Sequence, residues 1–70
     1  MKYLIVIDKT KTGFSAYSPD ILGCIATGGT KEEVEKLMKE AIEFHFDGLR
    51  EEGIEIPSPN TYSQYVEIAA

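Results

Sequence analysis

The sequence holds one cysteine, Cys24, and one histidine, His45. A lone cysteine cannot close an internal disulfide, and a lone histidine has no second imidazole with which to build a zinc site. There is no C-x-x-C pair and no leader pattern at the start of the chain, so the sequence reads as that of a protein kept in a reducing cytoplasm. No apolar run is long enough to span a bilayer. Basic residues are scarce, seven against twelve acids for a net charge of −5, and they form no stripe. That balance makes the chain a poor candidate for gripping phosphate backbone and a better one for meeting a basic protein partner. Internal repeats and low-complexity segments are also missing.

What remains has the apolar content of an ordinary globular protein, 43%, which argues for a fold rather than disorder. The length fits one small domain, residues 1–70. A domain of this size buries only ~60% of the surface its unfolded chain exposes. With no disulfide available as a staple, a homodimer or larger assembly is expected.

The strongest local signal runs from Thr30 to Gly53. Thr30 and Glu33 have the spacing of a capping box, and Glu32, Glu33 and Glu35 fill a first turn where the helix dipole favours acids. Val34, Leu37, Met38, Ala41, Ile42, Phe46 and Leu49 recur at steps of three and four, which marks one helix face. Gly53 supplies a left-handed stop. Gly48, inside this run, is expected to be a close-packing point. Glu32 with Lys36 and Glu35 with Lys39 have the spacing of favourable i,i+4 pairs.

Before the helix, Tyr3–Ile7 is an unbroken apolar run rich in β-branched residues, the pattern of a strand buried on both faces. Lys9–Gly13 is a hairpin connection leading to a second strand, Phe14–Ser18. Pro19-Asp20 breaks the ladder, Gly23–Thr27 is a short third strand, and Gly28-Gly29 turns the chain into the helix. After it, Ile54–Pro59 carries two prolines and acts as a stiff strap. Tyr62–Ile68 alternates as a last strand, with Val66 and Ile68 on its core face. The predicted fold is α+β, an antiparallel three-stranded sheet with one helix packed on one face and a further C-terminal strand, in the order β-β-β-α-β. One helix covers one face only, so another copy or a partner must cover the second.

Chemistry is thinly represented. Asp8, Asp20 and Asp47 could together hold a divalent cation as in metal-dependent nucleases, but Asp is common at strand ends and turns for structural reasons. Cys24 and His45 lack the spacing of a nucleophile and its base, and buried thiols behave as small hydrophobes. Gly28-Gly29 lacks the fingerprint of a phosphate loop. No catalytic residue, metal ligand or cofactor is assigned. Tyr3, Tyr17, Tyr62 and Tyr65 lie in or beside strands without accompanying Arg or Lys, which favours the core or a protein interface over base stacking.

Four stretches in succession, G-F-S-A-Y-S-P-D-I-L-G-C at Gly13–Cys24, G-G-T-K-E-E at Gly28–Glu33, A-I at Ala41–Ile42 and I-P-S-P at Ile56–Pro59, resemble the HicB antitoxin family. Leu22 departs from the pattern, since the family usually has proline there. The resemblance implies a partly eroded RNase H-like fold with the same element order. It also implies a type II antitoxin that neutralises HicA, a small basic RNA-cleaving toxin, by covering its active site. Many family members carry a further DNA-binding domain. No helix-turn-helix or ribbon-helix segment is read in these residues, so operator binding is not carried over. Tyr17, Asp20 and Cys24, which join an aromatic, an acid and a glycine turn at one sheet end, are the expected partner-binding residues. The alternatives are a residual nuclease using Asp8, Asp20 and Asp47, or a free-standing regulatory or structural oligomer. A short basic reading frame beside this one would favour the antitoxin.

Overall fold

The computed structural model describes residues 1–70. Three strands, β1 (Val6–Lys9), β2 (Phe14–Ser18) and β3 (Ile21–Gly28), precede one helix, α1 (Lys31–Glu52). The sheet is antiparallel in the order β1-β2-β3, which leaves β1 and β3 as its edges.

Each turn has an identifiable cause. At the β1–β2 hairpin the Thr10 N–H donates to the Gly13 carbonyl at 2.8 Å. A Cβ on Gly13 would collide with the Gly28 carbonyl oxygen, so only glycine allows β3 to end this close to the hairpin. Tyr17 pairs with Ile25 but Ser18 pairs with Ile21, so Leu22, Gly23 and Cys24 form a bulge. Gly23 takes φ +84° there, a conformation that costs glycine nothing. Leu22 is pushed 88% into solvent.

The helix has the expected limits. The Glu33 N–H donates to Thr30 Oγ1 at 3.1 Å. Gly53 closes the far end at φ +70°, its N–H donating to the Arg50 carbonyl while the Ile54 N–H donates to that of Leu49. This Schellman arrangement satisfies carbonyls that the helix cannot use itself. The expected pairs Glu32–Lys36 and Glu35–Lys39 do not form; the one ion pair is Arg50 with Asp47 at 3.2 Å. Exposed i,i+4 pairs gain too little to hold two long side chains in one geometry. Gly48 is not a close-packing point either, because a Cβ there would meet nothing within 4 Å.

The core lies between the sheet and the helix. Ala16, Ile21 and Cys24 meet Val34, Met38 and Phe46, and half-buried Tyr3, Ile5, Ile7 and Phe14 pack around them. Seven of 70 residues are buried, a thin core even for a small domain. The helix lies mainly over β3 and β2. β1 is therefore half-buried rather than buried on both faces. Regular pairing begins at Val6, opposite Tyr17, and β2 ends one position further on at Ser18. Leu4, beyond that ladder, takes its bond from the Ser18 hydroxyl at 2.8 Å instead.

After the helix the chain crosses the end of β1, where the Tyr3 hydroxyl donates to the Pro57 carbonyl at 2.6 Å. It is then pinned at the β2–β3 turn, where Asp20 accepts from Asn60 and Thr61. The strand expected over Tyr62–Ile68 does not form. Residues 61–70 are all exposed and without regular structure. A strand needs a ladder partner and a face to bury against, and the pinned chain meets neither. The radius of gyration, 14.0 Å, reflects this arm; a compact chain of this length would measure about 11 Å.

Candidate functional site

Residues alternate across a strand, so the register of the sheet sorts them by face. Ala16 and Cys24 point into the core. Val6, Tyr17 and Ile25 then fall on the opposite face, paired across the three strands in one row. Val6 is half-buried, whereas Ile25 is 73% exposed and Tyr17 45%. Leu22 on the bulge adds a second exposed aliphatic at the same end of β3. An exposed apolar row of this kind is a surface suited to a protein partner.

A second apolar feature borders the first. A groove of about 430 Å³ runs between the β3 edge and α1, lined by Ile25, Phe44, His45, Gly48 and Leu49 among others. Phe44 stands 82% exposed on its rim. The His45 ring lies 6.3 Å from that of Phe46, beside the core. Here His45 is a packing residue at a groove wall.

The three residues expected to meet a partner are not brought together on one surface. Tyr17 lies on the open face. Cys24 is buried under the helix, and its burial pushes the thiol pKa up, so it is an inert core residue. Asp20 is engaged within its own chain. Its Oδ2 accepts the N–H groups of Asn60 at 3.0 Å and Thr61 at 2.9 Å, and its Oδ1 accepts the Thr61 hydroxyl at 2.8 Å. These bonds, those from Thr61 foremost, hold the carboxyl below its ordinary pKa. Asp20 is an anchor for the strap.

Asp8, Asp20 and Asp47 lie apart, at the hairpin end of β1, at the β2–β3 turn and on the exposed side of α1 beside Arg50. No group of three or more metal-ligating side chains gathers anywhere in the fold. No helix is long and apolar enough to cross a membrane.

Sequence reasoning missed Phe44, Leu22 and Ile25. Phe44 sits two positions from both Ile42 and Phe46, off the helix stripe, and a large aromatic off the stripe was the available signal. Leu22 and Ile25 became legible only through the bulge, which sets which residues of β3 turn outward.

Comparison with known proteins gives this surface a context. Residues 3–69 match the model of a family described as "HicB_like antitoxin of bacterial toxin-antitoxin system". A 14.9 kDa protein from the rep-hol intergenic region of Haemophilus phage HP1 is 39% identical over 66 residues, covering 94% of this chain and 50% of its own. "Antitoxin HicB 2" of Photorhabdus laumondii is 32% identical over 71 residues, covering 100% of this chain and 51% of its own. The chain thus spans about half the length of these two relatives. Among solved structures, a chain of the "HicA3 and HicB3 toxin-antitoxin complex" superimposes with a TM-score of 0.71 at 42% identity, over 86% of this chain and 70% of that one.

Proposed function

The chain belongs to the HicB-like antitoxin family, and from that premise we propose that it binds and neutralises a small basic toxin of the HicA kind by covering the toxin's RNA-cleaving site. The observation that carries this reading is the 42% identity, at a TM-score of 0.71, to a chain of a solved toxin–antitoxin complex.

The physical features support it. An RNA-cleaving toxin must be basic to hold its substrate, and this chain is acidic, with eight of its twelve acids on α1. Opposite fields speed encounter, but durable neutralisation needs an apolar centre that excludes water. The row of Val6, Tyr17 and Ile25, with Leu22 beside it, supplies such a centre on the face the helix leaves open. Tyr17 is its aromatic anchor. Asp20 acts indirectly, by fixing the turn and strap at the rim, and Cys24 by packing beneath. On this reading the chain acts by binding, and the alternative of a residual nuclease gains no support from its three candidate carboxylates, which lie on separate parts of the fold.

The test is to purify the chain, mix it with the HicA-like protein encoded beside it, and follow cleavage of a model RNA. A stoichiometric complex with loss of cleavage is expected. Absence of any complex at micromolar concentration and low salt, or RNA cleavage by this chain alone that Asp8→Asn abolishes, would overturn the reading.

A further inference from the structure

A second surface, distinct from the open face, lies on the flank of the helix. Because α1 sits over β3 and β2, the helix side of β1 is left half covered. The result is a groove of about 820 Å³ with Tyr3, Ile5, Ile42, Phe46 and Ile56 among its walls. The outer edge of β1 beside it carries backbone groups with no ladder partner, because β2 occupies only the inner edge. A groove with this outline, an apolar floor next to a free strand edge, has the shape of a missing fourth strand.

The same chain holds a segment with the complementary pattern. In Tyr62–Ile68, an extended backbone places Tyr62, Gln64, Val66 and Ile68 on one side and Ser63, Tyr65 and Glu67 on the other. Val66 and Ile68 are each 74% exposed and Tyr65 fully so. The segment is rich in the residues that favour strands and pairs with nothing.

Its root is fixed away from its own groove. The strap passes the end of β1 at Pro57 and is fixed four residues later, by Thr61 on Asp20, at the turn beyond β2. The arm therefore starts on the far side of β2 from the free β1 edge, and Pro57 and Pro59 stiffen the chain that leads to it.

We propose that the 62–68 arm of one chain adds as a strand to the free β1 edge of a second copy, laying Val66 and Ile68 into the groove beside Ile5 and Ile42, with the exchange reciprocated. Such an exchange buries the arm and the groove at once and fills the uncovered half of the core in both copies. It is separate from the surface proposed above for the toxin, which lies on the opposite face of the sheet.

Light scattering of the full chain at micromolar concentration tests it, together with hydrogen exchange on the arm amides. At least twice the chain mass is expected, with protection of residues 62–68 that fades on dilution. V66D/I68D should lose that protection and run at the monomer mass with its circular dichroism unchanged, because those residues are mostly exposed and lie outside the core of their own chain. I5D should also be monomeric. Mixed with V66D/I68D it should restore a dimer held by one arm, which supplies a readout even if either variant alone is less stable. A monomeric wild type, a dimer indifferent to V66D/I68D, or arm protection that does not change with concentration would overturn the exchange. The last result would mean that the arm docks on its own chain.

Discussion

Thr61 donates twice to Asp20 across forty-one positions of sequence, its N–H reaching Oδ2 at 2.9 Å and its hydroxyl reaching Oδ1 at 2.8 Å. With Asn60 adding a third bond, one carboxylate at the β2–β3 turn fixes where the strap ends and where the arm begins. An ionised acceptor makes shorter and stronger bonds than a neutral one, so this anchor depends on the charge of Asp20.

The carboxyl titrates below its ordinary value because the Thr61 and Asn60 donors favour the charged form. The contribution of the anchor is therefore complete above the free-chain value, about 4, and is lost as the pH falls through the depressed folded-state value. At neutral pH, Asp20→Ala should raise amide exchange at Asn60 and Thr61 by about ten-fold or more, while leaving α1 unaffected. In the unmodified chain, the same amides should stay protected to pH 5 and open only below about pH 4. Unchanged protection in Asp20→Ala would show that the prolines alone hold the strap.

Gly48 lies inside α1 with open space where a Cβ would be. Gly48→Ala should therefore stabilise the fold by about 0.8–1.0 kcal/mol, the difference in helix propensity between the two residues. Urea denaturation is the check, read as a rise in midpoint with an unchanged slope. A loss of toxin binding in this variant would place the adjacent groove with Phe44 in the interface.

Met38 and Cys24 carry the thin core. Met38 is fully buried, and Met38→Ala should cost about 2–5 kcal/mol, enough to unfold a domain of this size at 37 °C. The Cys24 thiol, buried and with a raised pKa, should react with a disulfide reagent at pH 8 only after denaturant is added. Fast labelling of the native protein would mean that the helix lifts off β3 readily.

If charge steers the chain to a basic toxin, association should slow with added salt while dissociation changes little. Tyr17→Ala should do the opposite, leaving association intact and speeding dissociation by about ten-fold or more, as expected for an aromatic anchor at the centre of an interface. Surface plasmon resonance separates the two. A Tyr17→Ala variant with unaltered dissociation would move the apolar centre elsewhere, to Phe44 and the β3-edge groove.

Much of this molecule was legible along the chain. Thr30, Glu33, the apolar stripe and Gly53 set the limits of α1, because capping and helix periodicity depend on residues within a turn or two of each other. Phe14–Ser18 read as a strand for the same local reason. The acidity of the helix and the solitary state of Cys24 and His45 needed no structure at all. The tertiary structure decided what local pattern cannot encode. It placed Cys24 in the core and Tyr17 on the open face, because a bulge at Leu22–Cys24 and the register of β2 determine which face each residue meets. It gave Asp20 to Thr61, a contact that chain folding alone brings together. It also left Tyr62–Ile68 unpaired: alternation makes a segment capable of being a strand, but a strand exists only where a free edge and an apolar floor lie within reach.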